Sequence, residues 1–257
     1  MRKHAITLVI CGVLLLQGVP ARAQDTVMQV STIDALVAGV YDGSLTCAGL
    51  LQYGDVGIGT FDRLEGEMVV LDGTVYQVKG DGTVHRPGPD MKTPFAAVCR
   101  FVADETVTLN KGMSYKAVEQ AIDASISGTN LFYAIKIMGT FSYMKTRSVP
   151  AQSKPYPPLA EVAKSQSIFE MHNIAGTIVG FRCPPYVQGI NVPGYHLHFI
   201  SDDRTQGGHI LDFALDQGDC HIDRCHRFLM VLPAEEEAFQ KVDLSRDRSR
   251  ELQQIEK

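Results

Sequence analysis

Along most of this chain apolar and polar residues alternate with a period of two, the signature of strands, and helical spacing is confined to a few short stretches. Residues 32–51 read as two short helical pieces, carrying Ala35, Leu36 and Val40, then Leu45, Leu50 and Leu51, with a break at Asp42-Gly43. Strands follow at 57–61, 64–71 and 74–78, and Asp72-Gly73 between the last two is a strong hairpin signal. After the turn Gly80-Asp81-Gly82 comes Thr83-Val84-His85, and 94–101 is another apolar strand. Residues 115–125 form a helix that Ser114 would cap, and 131–149 is a long alternating strand. The run Pro150-Ala151-Gln152-Ser153-Lys154-Pro155-Tyr156-Pro157-Pro158 is a stiff crossover that cannot continue a sheet. A short helix at 159–165 precedes strands at 168–181 and 228–232, a hairpin between them, and a charged, helical tail. The expected class is α+β: two sheet-containing halves, mixed and antiparallel strands with few segregated helices. Their expected bounds are 24–149 and 150–257.

Residues 1–23 read as an export signal. Arg2 and Lys3 form a charged start, 6–16 is an apolar run too short to span a bilayer, and Ala21-Arg22-Ala23 is a cleavage site. The expected location is therefore periplasmic or extracellular, with no membrane attachment after cleavage. Cleavage removes three basic residues and no acid, taking the net charge from −5 to −8. A mildly acidic chain without a basic stripe is a poor partner for nucleic acid or an anionic membrane. Five cysteines remain, Cys47, Cys99, Cys183, Cys220 and Cys225, an odd number that leaves at least one thiol unpaired. Cys220 and Cys225, flanked by His221 and His226, match no common zinc spacing, so a local disulfide or two packed thiols is the reading there.

The candidate chemistry starts in Gly194-Tyr195-His196-Leu197-His198-Phe199. His196 and His198 lie two apart and share a strand face. A turn-forming stretch, 201–207, leads to His209. A hairpin centred between Asp203 and Arg204 would set His198 directly opposite His209, about 5 Å apart at Cβ. Three imidazoles with an open position make a catalytic metal site; zinc suits imidazole best, although iron, nickel or copper would accept the same ligands. The plain alternative is a strand face of hydrogen-bonded histidines. His85 and His172 have no partners at ligand spacing and read as structural. Glu65 and Glu67 stand on one strand face beside Gly66, and Lys145 and Arg147 share a face with Phe141 and Tyr143. Alone, both pairs read as solvated.

Several long motifs in order change that balance. Gly59-Thr60-Phe61-Asp62-Arg63-Leu64-Glu65-Gly66-Glu67, Lys145-Thr146-Arg147 with Lys154-Pro155-Tyr156-Pro157-Pro158, Gly176-Thr177-Ile178-Val179-Gly180-Phe181, and 194–199 through His209 resemble α-acetolactate decarboxylases across nearly all of the mature chain. The resemblance implies a zinc enzyme that converts 2-acetolactate to (R)-acetoin and carbon dioxide, in the acetoin and butanediol pathway. It implies His196, His198 and His209 as zinc ligands and Glu67 and Arg147 as catalytic residues. Glu65 stands where the family has aspartate. It also implies a second catalytic glutamate in a tail that returns to the site, placed at Glu256 with Glu251 as the alternative. The resemblance suggests a homodimer, for which no segment gives a signal.

That chemistry has a physical logic. Loss of carbon dioxide leaves an enediolate whose charge a Lewis acid stabilises, with Arg147 orienting the carboxylate and a glutamate returning a proton to one face. Two other readings remain: a cupin-type metal oxygenase, from His196-x-His198 followed by Asp202 and Gly208, and a non-catalytic periplasmic zinc-binding protein.

Overall fold

The computed structural model describes residues 24–256, so the expected export signal, 1–23, lies outside the described residues. The chain runs β1 (Thr26–Val30), α1 (Ile33–Val37), β2 (Leu45–Thr46), α2 (Cys47–Leu50), β3 (Val56–Thr60), β4 (Glu67–Leu71) and β5 (Thr74–Val78). Then come β6 (Val84–His85), β7 (Lys92–Thr93), β8 (Ala96–Cys99), β9 (Glu105–Leu109), α3 (Tyr115–Ser125) and β10 (Phe132–Ser148). After the proline segment follow α4 (Leu159–Val162), β11 (Ser167–Cys183), β12 (Gly194–Ser201) and β13 (Gly207–Cys225). β14 (Arg227–Val231), α5 (Glu237–Lys241) and α6 (Ser249–Glu256) complete it.

The α+β class is what the chain adopts. One sheet has seven strands in the order β14-β1-β8-β3-β4-β5-β6, antiparallel except where β14 runs parallel to β1. The second has the order β10-β11-β12-β13-β9, and β10 also pairs with β13, so the hydrogen bonding of β10 to β13 closes on itself. β2 and β7 form a separate small ladder. Sheet membership ignores the proline segment: β9 and β10 precede it yet belong to the second sheet, and β14 follows it yet edges the first. Asp72-Gly73 turns β4 into β5 as expected, and Ser114 caps α3 by accepting from the Ala117 amide.

Alternation along the strands sorts side chains into two cores. One face of the second sheet buries Leu197, Phe199, Ile178, Phe141 and Phe213 under Val118 and Ile122 of α3. Phe141 meets Phe199 and Phe213 edge-on at 5.5 and 5.6 Å between ring centres, a favoured aromatic geometry. The opposite face presents Val179, Phe181, Ile200 and Cys225 to Ile58, Val69, Ala97 and Cys99 of the seven-stranded sheet. His196 and His198 share that second face, so the site lies between the sheets. Of the two readings for Cys220 and Cys225, the local disulfide is corrected by the same rule. An offset of five residues on a strand puts the two thiols on opposite faces, one in each core, and all five described cysteines are free thiols.

Phe141 is fully buried between two rings, so Phe141→Ala should destabilise by about 3–5 kcal/mol. Urea denaturation measures it; a loss below about 1 kcal/mol would show that this core collapses around the gap.

Candidate active site

Strand register builds the site. β12 sets His198 opposite His209, and β13 sets His209 opposite Arg147 of β10, so one row across three strands carries two imidazoles and a guanidinium. His196 stands two residues before His198 on the same face. The three imidazole rings lie 5.0–5.3 Å apart between centres, all buried, and each offers a ligand atom within 4.8 Å of the others. The hairpin expected from the turn residues is the one formed.

β4 supplies the wall opposite. The Met68 carbonyl accepts from His198 Nδ1 at 2.8 Å, which leaves Nε2 of that ring as the free lone pair. That Nε2 and His196 Nδ1 are buried without a hydrogen-bond partner, an arrangement a bound cation would relieve at His198 Nε2. The neighbouring residue, Glu67, brings Oε2 to 3.6 Å from His198 Nε2. Gly66 makes this possible at φ +84°, where a Cβ would stand 2.3 Å from the Val78 carbonyl. The same backbone corrects the expected pairing of Glu65 with Glu67. Glu65 lies outside the strand and turns away to Lys79 at 3.0 Å.

Arg147 is buried, whereas Lys145 remains half-buried at the surface near Glu170. Tyr143, Lys145 and Arg147 pair in unbroken register with β11 and share one face as expected, but an irregularity between Phe141 and Tyr143 turns Phe141 to the other face, into the core with Met144. Arg147 Nη1 donates to Gln166 Oε1 at 3.3 Å and Nη2 to Glu256 Oε1 at 3.4 Å, while Nε is buried without a partner. Glu256 arrives on α6, which docks Leu252 and Ile255 against Leu159 and Val162 of α4. Its Oε2 lies 3.6 Å from His209 Nε2 and 3.8 Å from His196 Nε2. Glu251, five residues earlier, is exposed on another side of that helix.

All six expected residues therefore meet in one cavity of about 40 Å³, which Thr60, Leu64 and Phe95 also line. Such a space is far too small for a nucleotide. Gln166 and the Met68 carbonyl had not been anticipated. Gln166 follows a short helix with no motif, and a backbone carbonyl leaves no trace in side-chain pattern. Asp202, the acid a cupin would need, is exposed at the hairpin turn.

Electrostatics match metal binding. Burial, with the charge of Arg147, holds His196 down at about 3 and His209 well below its usual value; for His198, burial and His196 do the same. Neutral imidazole is the ligating form. Burial raises Glu67 to about 7 against the opposing pull of Arg147, with Glu256 adding to the rise. Glu256 is raised too, again by burial.

Comparison with known proteins agrees with this arrangement. The family model for alpha-acetolactate decarboxylase matches residues 27–246. Alpha-acetolactate decarboxylase of Methanosarcina mazei is 49% identical over 95% of this chain and 84% of its own length, and that of Methylococcus capsulatus 44% identical over 90% and 88%. The crystal structure of alpha-acetolactate decarboxylase from Bacillus subtilis strain 168 superposes with a TM-score of 0.88 at 38% identity, covering 90% of this chain and 99% of that one.

Docking of α6 rests on two apolar side chains, so replacing both Leu252 and Ile255 by alanine should release it. Trypsin should then cut at Arg250 at least tenfold faster while the remaining fold keeps its circular dichroism. Unchanged protection would mean that other contacts hold Glu256 in place.

Proposed function

On the premise that the chain belongs to the alpha-acetolactate decarboxylase family, we propose that it converts (S)-2-acetolactate to (R)-acetoin and carbon dioxide with zinc held by His196, His198 and His209. The observation that carries this reading is three buried, neutral imidazoles converging beside a buried guanidinium. A bound zinc ion supplies Lewis acidity for the developing enediolate charge and no redox step. We place the reaction in acetoin and butanediol formation.

The chain's own groups have separable tasks. Arg147 keeps Nε without a partner, a donor free to meet the substrate carboxylate. As the carbon–carbon bond to that carboxylate breaks, its electron pair passes to the carbonyl oxygen and the guanidinium balances the anion left behind. A proton must then reach the carbon that lost the carboxylate. Glu67 is the better donor, because Glu256 is tied to Arg147 whereas Glu67 makes no bond to the guanidinium. Delivery from the β4 wall would reach one face of the enediolate and so set the product's handedness. Glu256 holds Arg147 and the imidazoles in register. Export of the mature chain, cleaved after Ala23 to a periplasmic or extracellular location, belongs to the same proposal.

Anaerobic assay of purified mature protein, before and after chelation and with zinc restored, tests the whole. Activity should vanish on chelation and return with zinc; full activity in a metal-free preparation would sink the proposal. His196→Ala should lose both metal and turnover. Arg147→Ala should keep zinc but lose about 10²–10³ in rate, the scale of one preorganised donor. Glu67→Gln should lose the (R) preference, and unchanged handedness there would move the proton to Glu256. N-terminal sequencing of the exported protein should begin at Gln24.

A further inference from the structure

A second cluster of cation-ligating groups lies away from the histidines. Cys99 at the end of β8 faces Asp223 and Cys225 near the end of β13, across the interface between the two sheets. All three are buried, with Asp223 only 1% exposed and both cysteines fully covered. One sulfur from each cysteine and one carboxylate oxygen lie within 4.8 Å of one another. Asp223 and Cys225 are two apart and project from one strand face, which is why they approach Cys99 together.

The carboxylate is only half satisfied. Oδ2 accepts from the Val102 amide at 3.0 Å, whereas Oδ1 is buried with no hydrogen-bond partner. An orphaned, buried carboxylate oxygen is costly unless something positive meets it. The surroundings sharpen the demand, since Asp25, Asp55 and Asp104 add further negative charge around Asp223. Two thiols and an oxygen are the donor set of a borderline, thiophilic divalent ion. A cavity of about 200 Å³, lined by Phe132, Tyr186, His226 and Phe228, adjoins the covered Cys225.

We propose that Cys99, Asp223 and Cys225 bind a thiophilic divalent cation of the zinc class, which clips the seven-stranded sheet to the β10–β13 sheet. Binding releases the two thiol protons as two metal–sulfur bonds form, and no electrons are transferred. A Cys99–Cys225 disulfide is the competing use of the same atoms. It would consume both thiols and still leave Asp223 Oδ1 without a partner, so the cation accounts for more of the cluster.

Cobalt(II) is the probe, because thiolate ligation gives a near-ultraviolet charge-transfer band that imidazole and carboxylate do not. Titration of the reduced, metal-free, full-length mature protein should raise this band to a plateau by two equivalents, one taken by this cluster and one by the histidines. The band should persist in His196→Ala and disappear in Cys225→Ser and in Cys99→Ser. Asp223→Asn should weaken cobalt binding at least tenfold, with the fold checked by circular dichroism. In the wild type, bound cobalt should also protect Cys99 and Cys225 from alkylation, a readout that needs no variant to fold. Absence of the band in folded wild type, its survival in both serine variants, or isolation of the chain with a Cys99–Cys225 disulfide would each overturn the proposal. Decarboxylase activity retained in Cys99→Ser would separate this site from the histidine cluster.

Discussion

The site depends on one row of strand pairing, Arg147 against His209 against His198. A slip of one residue between β12 and β13 would send both hairpin imidazoles to the opposite face, into the core now filled by Leu197 and Phe199. The turn guards against that slip. Ser201 donates to Asp203 Oδ1 at 2.6 Å, the amides of Thr205 and Gln206 donate to Ser201 Oγ, and the Thr205 amide and hydroxyl reach Asp203 as well. On the far side of β13, Gly208 lets β10 come close, since a Cβ there would stand 2.5 Å from the Arg147 carbonyl. Turn chemistry on one side and a missing side chain on the other hold the three residues in line.

That alignment concentrates charge where burial opposes it. Removing a guanidinium and two carboxylates from water costs several kcal/mol per ion, and mutual attraction returns only part of it. Arg147 meets Glu256 at 3.4 Å and Gln166 at 3.3 Å, and its Nε remains unpartnered. Such a cluster is a poor way to stabilise a fold. Its arrangement makes sense as preorganisation: the guanidinium, the imidazole lone pairs and the carboxylates are fixed before a ligand arrives, on strands and a docked helix.

The parts of this arrangement legible in the sequence are those that rest on local rules. Period-two spacing announced β10, β11 and the His196–His198 pair, Asp72-Gly73 announced its hairpin, and Ser114 its helix. β1 escaped because Gln29, fully buried, interrupts its apolar run; its amide donates to the carbonyls of nearby Ser31 and of Ile190, and its oxygen accepts from Asn191, the last two partners lying far away in sequence. β9 escaped as a short, mostly exposed edge strand. Arg147 and Glu256 looked solvated when only their neighbours in sequence were considered, and family resemblance rather than physics singled them out. Glu65 misled for the opposite reason: the strand was assumed to run through Gly66, whose positive φ turns the chain instead.

What local rules could not show was the interface. Within a sheet the backbone groups satisfy one another, and side chains of one face come from strands already neighbours. Between sheets, groups remote in sequence converge: Met68 lies 130 residues from His198, and Arg147 lies 109 from Glu256. The first sheet contributes a carbonyl and Glu67, the second contributes the imidazoles and the guanidinium, and α6 closes the remaining side. Because each sheet has its own hydrogen-bond ladder, their facing surfaces can carry polar groups without breaking either one, provided apolar packing elsewhere holds the layers together. Val179, Phe181 and Ile200 against Ile58, Val69 and Ala97 supply that packing. The chemistry therefore sits where two rigid surfaces meet, held in place by residues that take no part in it.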